Sequence, residues 1–203
     1  KDVINLINDA YLTLGEKDKA FKFLEKIIKD TNSSKEIWIQ YLSVISSLGH
    51  FDSLYNSSLI AIQKFPQEPT FDFFAGFSAT LIKKYKEAQK LYTEGLKKEI
   101  PNENLRLQML IGLGDVSSQL EEYEISDDSY EKALVIEPNN ALVLNNYAYY
   151  LSVRNLELSR AEKMSKKSNI LDENNAAYQD TYAWIMYQKG DYNEALKWME
   201  KAI

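Results

Sequence analysis

The stretch Gly190-Asp191-Tyr192-Asn193-Glu194-Ala195 combines a turn with the beginning of a helix. Gly190 and Asp191 form a dipeptide that is typical of tight turns. After it, Ala195, Met199 and Ala202 recur at intervals of four and three positions, which places them on one face of an α-helix. The pattern therefore predicts a turn that is followed by a helix over residues 191–203.

The same arrangement of a turn followed by apolar helix residues recurs along the chain with a period of 34 residues. Gly15 precedes Ala20 and Leu24 in the first copy, and Gly49 follows Gly15 by 34 positions. Four extra residues at 103–106 and one extra residue in the turn at 154–157 interrupt the period. A fixed period of this length indicates an array of small repeats.

Each copy contains two helical patterns with small residues where the helices must approach closely. A larger side chain at these positions would hold the helix axes apart. The small residues are Ala20, Ala88, Ala161 and Ala195 on the second helices, and Gly76, Gly114, Ala148 and Ala183 on the first helices.

These residues resemble the tetratricopeptide repeat family. Trp38 stands 28 residues before Pro66, which is the interval of that family. The stretches 144–148 and 180–184 are similar to bacterial members, especially envelope-associated ones. The resemblance covers the whole chain and implies an all-α fold, a right-handed α-solenoid of six helix-turn-helix repeats in a single array. The repeats are expected at residues 1–34, 35–68, 69–102, 107–140, 141–175 and 176–203.

Composition and charge exclude several classes of protein. The 203 residues are 45% hydrophobic and 27% charged, with no cysteine and a net charge of −6. A chain without cysteine forms no disulfide and no Cys-based zinc site. We expect no nucleic-acid binding, because the chain is acidic. We also expect no membrane span, because no apolar run approaches the ~18 residues that a bilayer requires.

Side chains with catalytic or metal-binding chemistry are few. His50 is the only histidine, and no nucleophile or orienting carboxylate has a recognisable spacing to it. The sequence Gly112-x-Gly114 lacks the third glycine of a phosphate-binding loop and lies inside a helical pattern. We therefore expect no enzymatic activity, no cofactor and no metal site.

The first helix of each copy carries the candidate binding residues. In the family that the chain resembles, ligands lie against these helices, which line a concave groove. Aromatic, amide and acidic side chains there would hold a peptide through apolar anchors and hydrogen bonds to its backbone. The predicted groove residues are Asn5, Asp9, Phe73, Phe77, Asn145, Tyr149, Asp180, Trp184 and Tyr187. The alternative is that Trp184 or Phe77 covers a neighbouring helix.

Negative charge is concentrated in residues 107–140, which carry eight acidic residues and Lys132 as the single base. Five of the acidic residues form the predicted acidic patch: Glu121, Glu122, Glu124, Asp127 and Asp128. One interpretation is a solvated ridge, and the other is a docking surface for a basic partner.

The predicted function is a non-catalytic scaffold that binds a peptide or protein partner in its groove. The alternative is a regulatory or targeting arm of an enzyme whose catalytic domain lies outside this segment. Apolar residues at both ends, such as Val3 and Met199, predict either a longer protein or end-to-end self-association. Lysine far outnumbers arginine, which favours a bacterial source. The resemblance to envelope-associated members favours the bacterial cell envelope, on the periplasmic side, over the cytoplasm.

Overall fold

The computed structural model describes residues 2–100 and 102–203, and the regular elements within them are all α-helices. Lys1 and Pro101 lie outside the described residues. The helices of the described part are α1 (Asp2–Thr13), α2 (Lys17–Ile28), α3 (Lys35–Ser47), α4 (Phe51–Lys64), α5 (Pro69–Leu81), α6 (Tyr85–Leu96), α7 (Glu103–Gln119), α8 (Tyr123–Ile136), α9 (Ala141–Val153), α10 (Leu158–Leu171), α11 (Ala176–Gln188) and α12 (Tyr192–Ala202). The predicted all-α fold is confirmed.

The turn inside each helix pair contains a residue with a left-handed backbone. These residues are Gly15, Gly49, Lys83, Glu121, Asn155 and Gly190, with φ between 54° and 82°. They follow one another at intervals of 34, 34, 38, 34 and 35 residues. The period read from the sequence is therefore visible in the backbone.

The residue that follows the left-handed residue also has nearly the same backbone conformation in most of the helix pairs. Five helices have an N-cap residue with φ between −84° and −89° and ψ between 55° and 74°. The exception is α10, whose N-cap Glu157 is itself left-handed, with φ of 43°. The extra residue predicted in the turn at 154–157 explains this difference, because it lengthens the connection.

The predicted insertion at residues 103–106 is not a turn. These residues form the first turn of α7, which at 17 residues is longer than a two-helix repeat of 34 requires. The chain divides into two compact units, residues 1–116 and 117–203, and the boundary falls inside α7. That all six repeats form a single array stays a prediction.

In the first unit the core is built from buried side chains of successive helices. Ala20, Leu24, Leu42, Leu54 and Phe71 are fully buried in one cluster. A second cluster contains Ala79, Ala88, Tyr92, Met109 and Val116. Ala20 and Ala88 thus occupy the close-contact positions predicted for them.

A buried ion pair also holds the first unit together. The ammonium group of Lys98 donates a hydrogen bond to the carboxylate of Asp72 on α5. The two side chains are 15% and 3% exposed. Burial raises the pKa of Asp72 above its usual value, although Lys98 acts in the opposite direction.

In the second unit the core combines small residues with stacked tyrosines. Ala148, Ala161, Ala183 and Ala195 are buried, as predicted. The rings of Tyr130 and Tyr147 stack with centroids 5.3 Å apart, and the Tyr147 hydroxyl donates to Oε1 of Glu131 at 3.0 Å. Burial and this hydrogen bond raise the pKa of Tyr147.

The amide of Asn169 on α10 donates to the backbone oxygen of Tyr178 on α11 at 2.9 Å.

Apolar side chains remain exposed on the first and last described helices. Val3 and Leu6 are exposed on α1, and Tyr192, Leu196 and Met199 are exposed on α12. These surfaces are the ones for which the sequence predicts end-to-end self-association, and that association stays a prediction.

Candidate functional site

Five of the predicted groove residues lie on two helices of the second unit that pack directly against each other. Asn145 and Tyr149 are one helical turn apart on α9, and α11 carries Asp180, Trp184 and Tyr187. Tyr149 is 42% exposed and Tyr187 is 50% exposed. The structure therefore leaves aromatic rings of this α9–α11 face open to solvent.

Two aromatic residues of α11, Trp184 and Tyr187, stack on each other and continue to a ring of α12. The rings of Trp184 and Tyr187 lie 5.9 Å apart at an interplanar angle of 19°. Tyr192, at the beginning of α12, meets Tyr187 edge-on at 5.3 Å. Because Trp184 is only partly buried and its partner is exposed, this stack is a surface feature rather than part of the core.

The α9–α11 face also carries two buried polar atoms that lack a hydrogen-bond partner among the described residues. One is Oδ1 of Asn145, an acceptor, and the other is Nε1 of Trp184, a donor. The nitrogen of the Asn145 amide is used in a bond to Asn146 at 3.3 Å. An unpaired buried polar group costs about 1–3 kcal/mol, so both atoms favour a ligand that would pair with them.

A small cavity of about 200 Å³ lies beside Tyr149. Its lining residues are Ser118, Gln119, Tyr123, Tyr149, Tyr150, Val153 and Arg154. The Arg154 guanidinium donates two hydrogen bonds to Asp127, at 2.6 and 3.1 Å, and lies 4.7 Å from the ring centre of Tyr123. Since the charge of Arg154 is already matched, the cavity is an aromatic recess and is not an anion site.

In the first unit, Phe73 and Phe77 pack against other aromatic rings. The two rings stack at 6.1 Å, and Phe51 on α4 meets Phe77 edge-on at 6.1 Å. Both are half-buried and contact the core clusters. These contacts favour the interpretation that Phe77 covers a neighbouring helix, and a role of the pair in binding stays a prediction.

Asn5 and Asp9, the remaining groove residues, lie on α1. Oδ1 of Asn5 accepts a hydrogen bond from Gln40 at 2.8 Å, and Asp9 is exposed. Sequence reasoning missed two neighbours of these residues, Asn8 and Gln40, because their character depends on hydrogen bonds that no periodicity reveals.

The acidic patch contains both paired and exposed carboxylates. Asp127 binds Arg154, and Asp128 binds Lys132 at 2.6 Å. Glu121, Glu122 and Glu124 are exposed, and Glu121 is the left-handed turn residue before α8. Part of the patch is thus engaged within the protein, and its role in docking stays a prediction.

No group of three or more potential metal-ligating side chains occurs within residues 2–100 and 102–203. His50 is exposed at the N-cap of α4, where the ring of Phe21 meets it edge-on at 6.4 Å. The described helices also include none with the length and hydropathy of a bilayer-spanning segment.

Comparisons with known proteins agree with this architecture. The model of the tetratricopeptide repeat family matches residues 107–140 and 177–203. The solved structure of PilW, a type IV pilus biogenesis factor, is 15% identical and has a TM-score of 0.82 over 98% of this chain and 91% of that chain. PilF from Pseudomonas aeruginosa is 19% identical, with a TM-score of 0.79 over 97% and 87% of the two chains.

YrrB, a tetratricopeptide repeat protein with an unusual peptide-binding site, is 19% identical, with a TM-score of 0.68 over 89% of this chain and 90% of that chain. No curated protein matches the chain in sequence. At these identities the likeness concerns the fold. The chain carries tetratricopeptide repeats at residues 107–140 and 177–203, and its resemblance to the tetratricopeptide repeat family is thereby confirmed.

Proposed function

We propose that the chain is a non-catalytic interaction module that binds an extended peptide segment of a partner protein on its α9–α11 face. One observation carries this proposal: an unpaired acceptor on Asn145 and an unpaired donor on Trp184 lie on the same face as exposed aromatic rings. A peptide backbone offers both an N–H and a C=O group, so it can pair with both atoms.

The aromatic residues supply the apolar part of the interaction. Tyr149, Trp184 and Tyr187 present large rings that lose little conformational freedom on binding, and such residues dominate the binding energy of protein interfaces. Asp180 is exposed on the same helix as Trp184 and adds a hydrogen-bond acceptor. The expected ligand is an uncharged or basic segment with apolar side chains.

The comparisons support a protein partner. Tetratricopeptide repeats generally mediate protein–protein interactions, and YrrB, which is similar in fold, has a peptide-binding site. The absence of enzymatic activity belongs to the same proposal. It draws support from the tetratricopeptide repeats, which typically serve as non-catalytic scaffolds.

The test is selection from a library of random 12-residue peptides displayed on phage, followed by calorimetric titration of the enriched peptides. Trp184→Phe removes the indole N–H but keeps an aromatic ring, and Asn145→Leu removes the acceptor at similar volume. Each change should weaken an enriched peptide about tenfold, the value of one buried hydrogen bond of about 1.4 kcal/mol.

Asn169→Leu is the matched control for Asn145→Leu. Asn169 is buried in the same unit and its Oδ1 also lacks a partner among the described residues, but it lies on α10 and its amide nitrogen joins that helix to α11. Its replacement should lower the melting temperature and leave the affinity of folded protein unchanged. Peptides that bind Trp184→Phe and Asn145→Leu as tightly as the wild type, or a selection without enrichment, would contradict the proposal.

We also propose that the protein acts at the bacterial cell envelope, on its periplasmic side. The fold similarity to PilW, a type IV pilus biogenesis factor, supports this location. Fractionation of the source cells followed by immunoblotting tests it. Recovery in the cytoplasmic fraction alone would contradict it.

A further inference from the structure

Two segments of the chain have the sequence Asn-x-Ser, which is the acceptor pattern for N-linked glycosylation. They are Asn32-Ser33-Ser34 and Asn56-Ser57-Ser58. An enzyme that modifies the asparagine must reach its amide and the hydroxyl of the following serine together. The structure therefore decides whether either segment is an acceptor, and it treats the two segments differently.

The first segment lies in the connection between α2 and α3. Asn32 and Ser34 are exposed and belong to neither helix. Within the described residues, Asn32 bonds only through its backbone N–H, which donates to Oδ1 of Asp30 at 2.9 Å. Ser34 is the N-cap residue of α3, but its hydroxyl makes no capping hydrogen bond. The Asn32 amide and the Ser34 hydroxyl are thus available to an enzyme.

The middle residue of this segment, Ser33, fixes the connection to the protein. Ser33 is 7% exposed, and its hydroxyl accepts hydrogen bonds from Trp38 at 3.0 Å and from Lys64 at 2.8 Å. Its backbone N–H donates to the carbonyl of Asp30 at 3.0 Å and closes a turn. The inward side chain of Ser33 leaves both of its neighbours at the surface.

Asn32 and Ser34 open onto the same surface cavity. Its volume is about 430 Å³, and the other lining residues are Ile4, Asn5, Glu36 and Ile37. The backbone of Ser34 is extended, with ψ of 163°, and residues two positions apart along extended backbone lie on one side. The two acceptor groups therefore face the same side of the connection.

The second segment lies inside α4 and has the opposite properties. Asn56 is exposed, but Ser58 is fully buried. An α-helix has 3.6 residues per turn, so residues two positions apart lie on nearly opposite sides. An enzyme could reach Asn56 and Ser58 together only after α4 unfolds.

The residue two positions before each asparagine also differs. Bacterial oligosaccharyltransferases that use this pattern require an acidic side chain there, which offers a charged acceptor to the enzyme. Asp30 occupies this position before Asn32 and is exposed. Leu54 occupies it before Asn56 and is fully buried. The extended pattern Asp-x-Asn-x-Ser occurs once in the chain, at residues 30–34.

We propose that Asn32 is a modification site to which a bacterial oligosaccharyltransferase attaches an N-linked oligosaccharide. The donor is an oligosaccharide linked to polyprenyl pyrophosphate. The Asn32 amide nitrogen forms a bond to C1 of the first sugar, and the bond between C1 and the pyrophosphate oxygen breaks. Polyprenyl pyrophosphate leaves, and one amide proton passes to a base of the enzyme. This modification rests on the proposed periplasmic location, because these enzymes act on that side of the membrane.

The test is glycosylation of the purified, folded protein by a single-subunit bacterial oligosaccharyltransferase and its lipid-linked donor. Mass spectrometry of the tryptic peptide of residues 30–35 detects the product. A synthetic peptide of residues 28–36 shows how well the enzyme uses the unfolded sequence. The folded protein should be modified at Asn32, at a rate similar to that of the peptide, and not at Asn56.

Two results would overturn the proposal. If only the synthetic peptide is modified, the folded connection does not present Asn32 to the enzyme. If neither the peptide nor the protein is modified, the sequence itself is not an acceptor.

Substitutions assign the reaction to the acceptor pattern. Ser34→Ala should abolish it and Ser34→Thr should retain it, because threonine keeps the hydroxyl. Asp30→Asn should also abolish it while keeping the turn, since an asparagine side chain can accept the same backbone hydrogen bond. Asn56→Gln, at the other Asn-x-Ser segment, is the matched control and should leave modification of Asn32 unchanged. Wild-type modification of Ser34→Ala would contradict the proposal.

The reaction in vitro does not depend on the compartment of the protein, so the two proposals can fail separately. Recovery of the protein in the cytoplasmic fraction would contradict the location and leave the reaction in vitro intact. An envelope fraction that contains the protein with Asn32 unmodified would contradict the modification and leave the location intact. Trp184→Phe should not alter glycosylation, which likewise separates this site from the α9–α11 face.

Discussion

A methyl group on Gly112 would stand 2.4 Å from Cζ of Tyr92, so the tyrosine ring fills the space that any side chain at position 112 would need. A methyl group on Gly76 would meet the other edge of the same ring, 2.8 Å from Cε1. Tyr92 of α6 thus lies in contact with the backbones of both α5 and α7. The glycine that resembled part of a phosphate loop is a packing residue.

We expect Gly112→Ala to destabilise the first unit by about 1–3 kcal/mol. The overpacking against Tyr92 outweighs the higher helix propensity of alanine. Urea denaturation followed by circular dichroism measures the change. Adding Tyr92→Leu should reduce the effect of Gly112→Ala, because the smaller side chain leaves room for the methyl group. Additive effects of the two changes would contradict this explanation.

The buried pair of Asp72 and Lys98 predicts a pH-dependent stability. Lys98→Met leaves the Asp72 carboxylate buried without its partner, so unfolding should become easier by about 3 kcal/mol at neutral pH. The pKa of Asp72, already raised by burial, should rise further in this variant. A raised pKa in the folded state means that stability is lost as pH increases through that value.

The loss of stability caused by Lys98→Met should therefore become smaller as the pH falls below the raised pKa of Asp72. Urea titrations between pH 4 and pH 8 test this, with Asp72→Asn combined with Lys98→Met as the control. The double variant should recover most of the loss at neutral pH and show a flatter profile. A deficit independent of pH would assign the effect of Lys98 to packing alone.

The left-handed turn residues predict a change in stability that comes from backbone strain and does not depend on any new contact. Lys83 has φ of 61°, a conformation that strains a residue with a Cβ atom by about 1–2 kcal/mol. Lys83→Gly should raise the free energy of unfolding by about 0.5–1 kcal/mol, after the greater flexibility of the unfolded chain is subtracted. Thermal and urea unfolding measure the gain.

Gly49→Ala is the reciprocal variant. Gly49 has φ of 74°, and a methyl group there would meet no heavy atom within 4 Å. The variant should lose about 1 kcal/mol through backbone strain alone. Equal stability of Gly49→Ala and the wild type would contradict the expected backbone strain at this turn.

Trp184→Ala separates a binding role from a core role. Because Trp184 is partly buried on a surface stack, its loss should cost clearly less than the 3–5 kcal/mol expected for a buried aromatic residue. Tyr130→Ala, at a fully buried position of the same unit, should show the larger loss. Similar losses in the two variants would favour a packing role for Trp184.

The fold was predictable because the residues that specify each helix pair lie close together in the sequence. Apolar periodicity and small residues at fixed intervals specify helix pairs, and Ala148 and Ala183 are buried where the period places them. The left-handed backbone at Lys83 does not follow from its residue type, because lysine rarely adopts positive φ, and only the interval of 34 residues from Gly49 marks the position. Such a conformation is imposed by the helices on either side of the turn.

The candidate sites were predictable only in part. Helical spacing placed Tyr149 and Tyr187 on an exposed face, but it gave the same prediction for Phe77, which packs on Phe51. Asn8 differs from other asparagines only in its three-dimensional surroundings, since it is buried and its Oδ1 has no donor among the described residues. A buried asparagine whose amide is satisfied and one whose oxygen is free have the same sequence signature.

The repeated turn geometry has a consequence for how such a chain changes over evolutionary time. Gly49 and Lys83 are 34 residues apart, and the residues that follow them, His50 and Lys84, have φ,ψ of −84°,66° and −86°,64°. A recombination event that deletes residues 50–83 would join two ends with matching backbone conformations. A gene for this protein can therefore gain or lose a whole repeat without creating a strained junction, and its length is open to selection in steps of one helix pair.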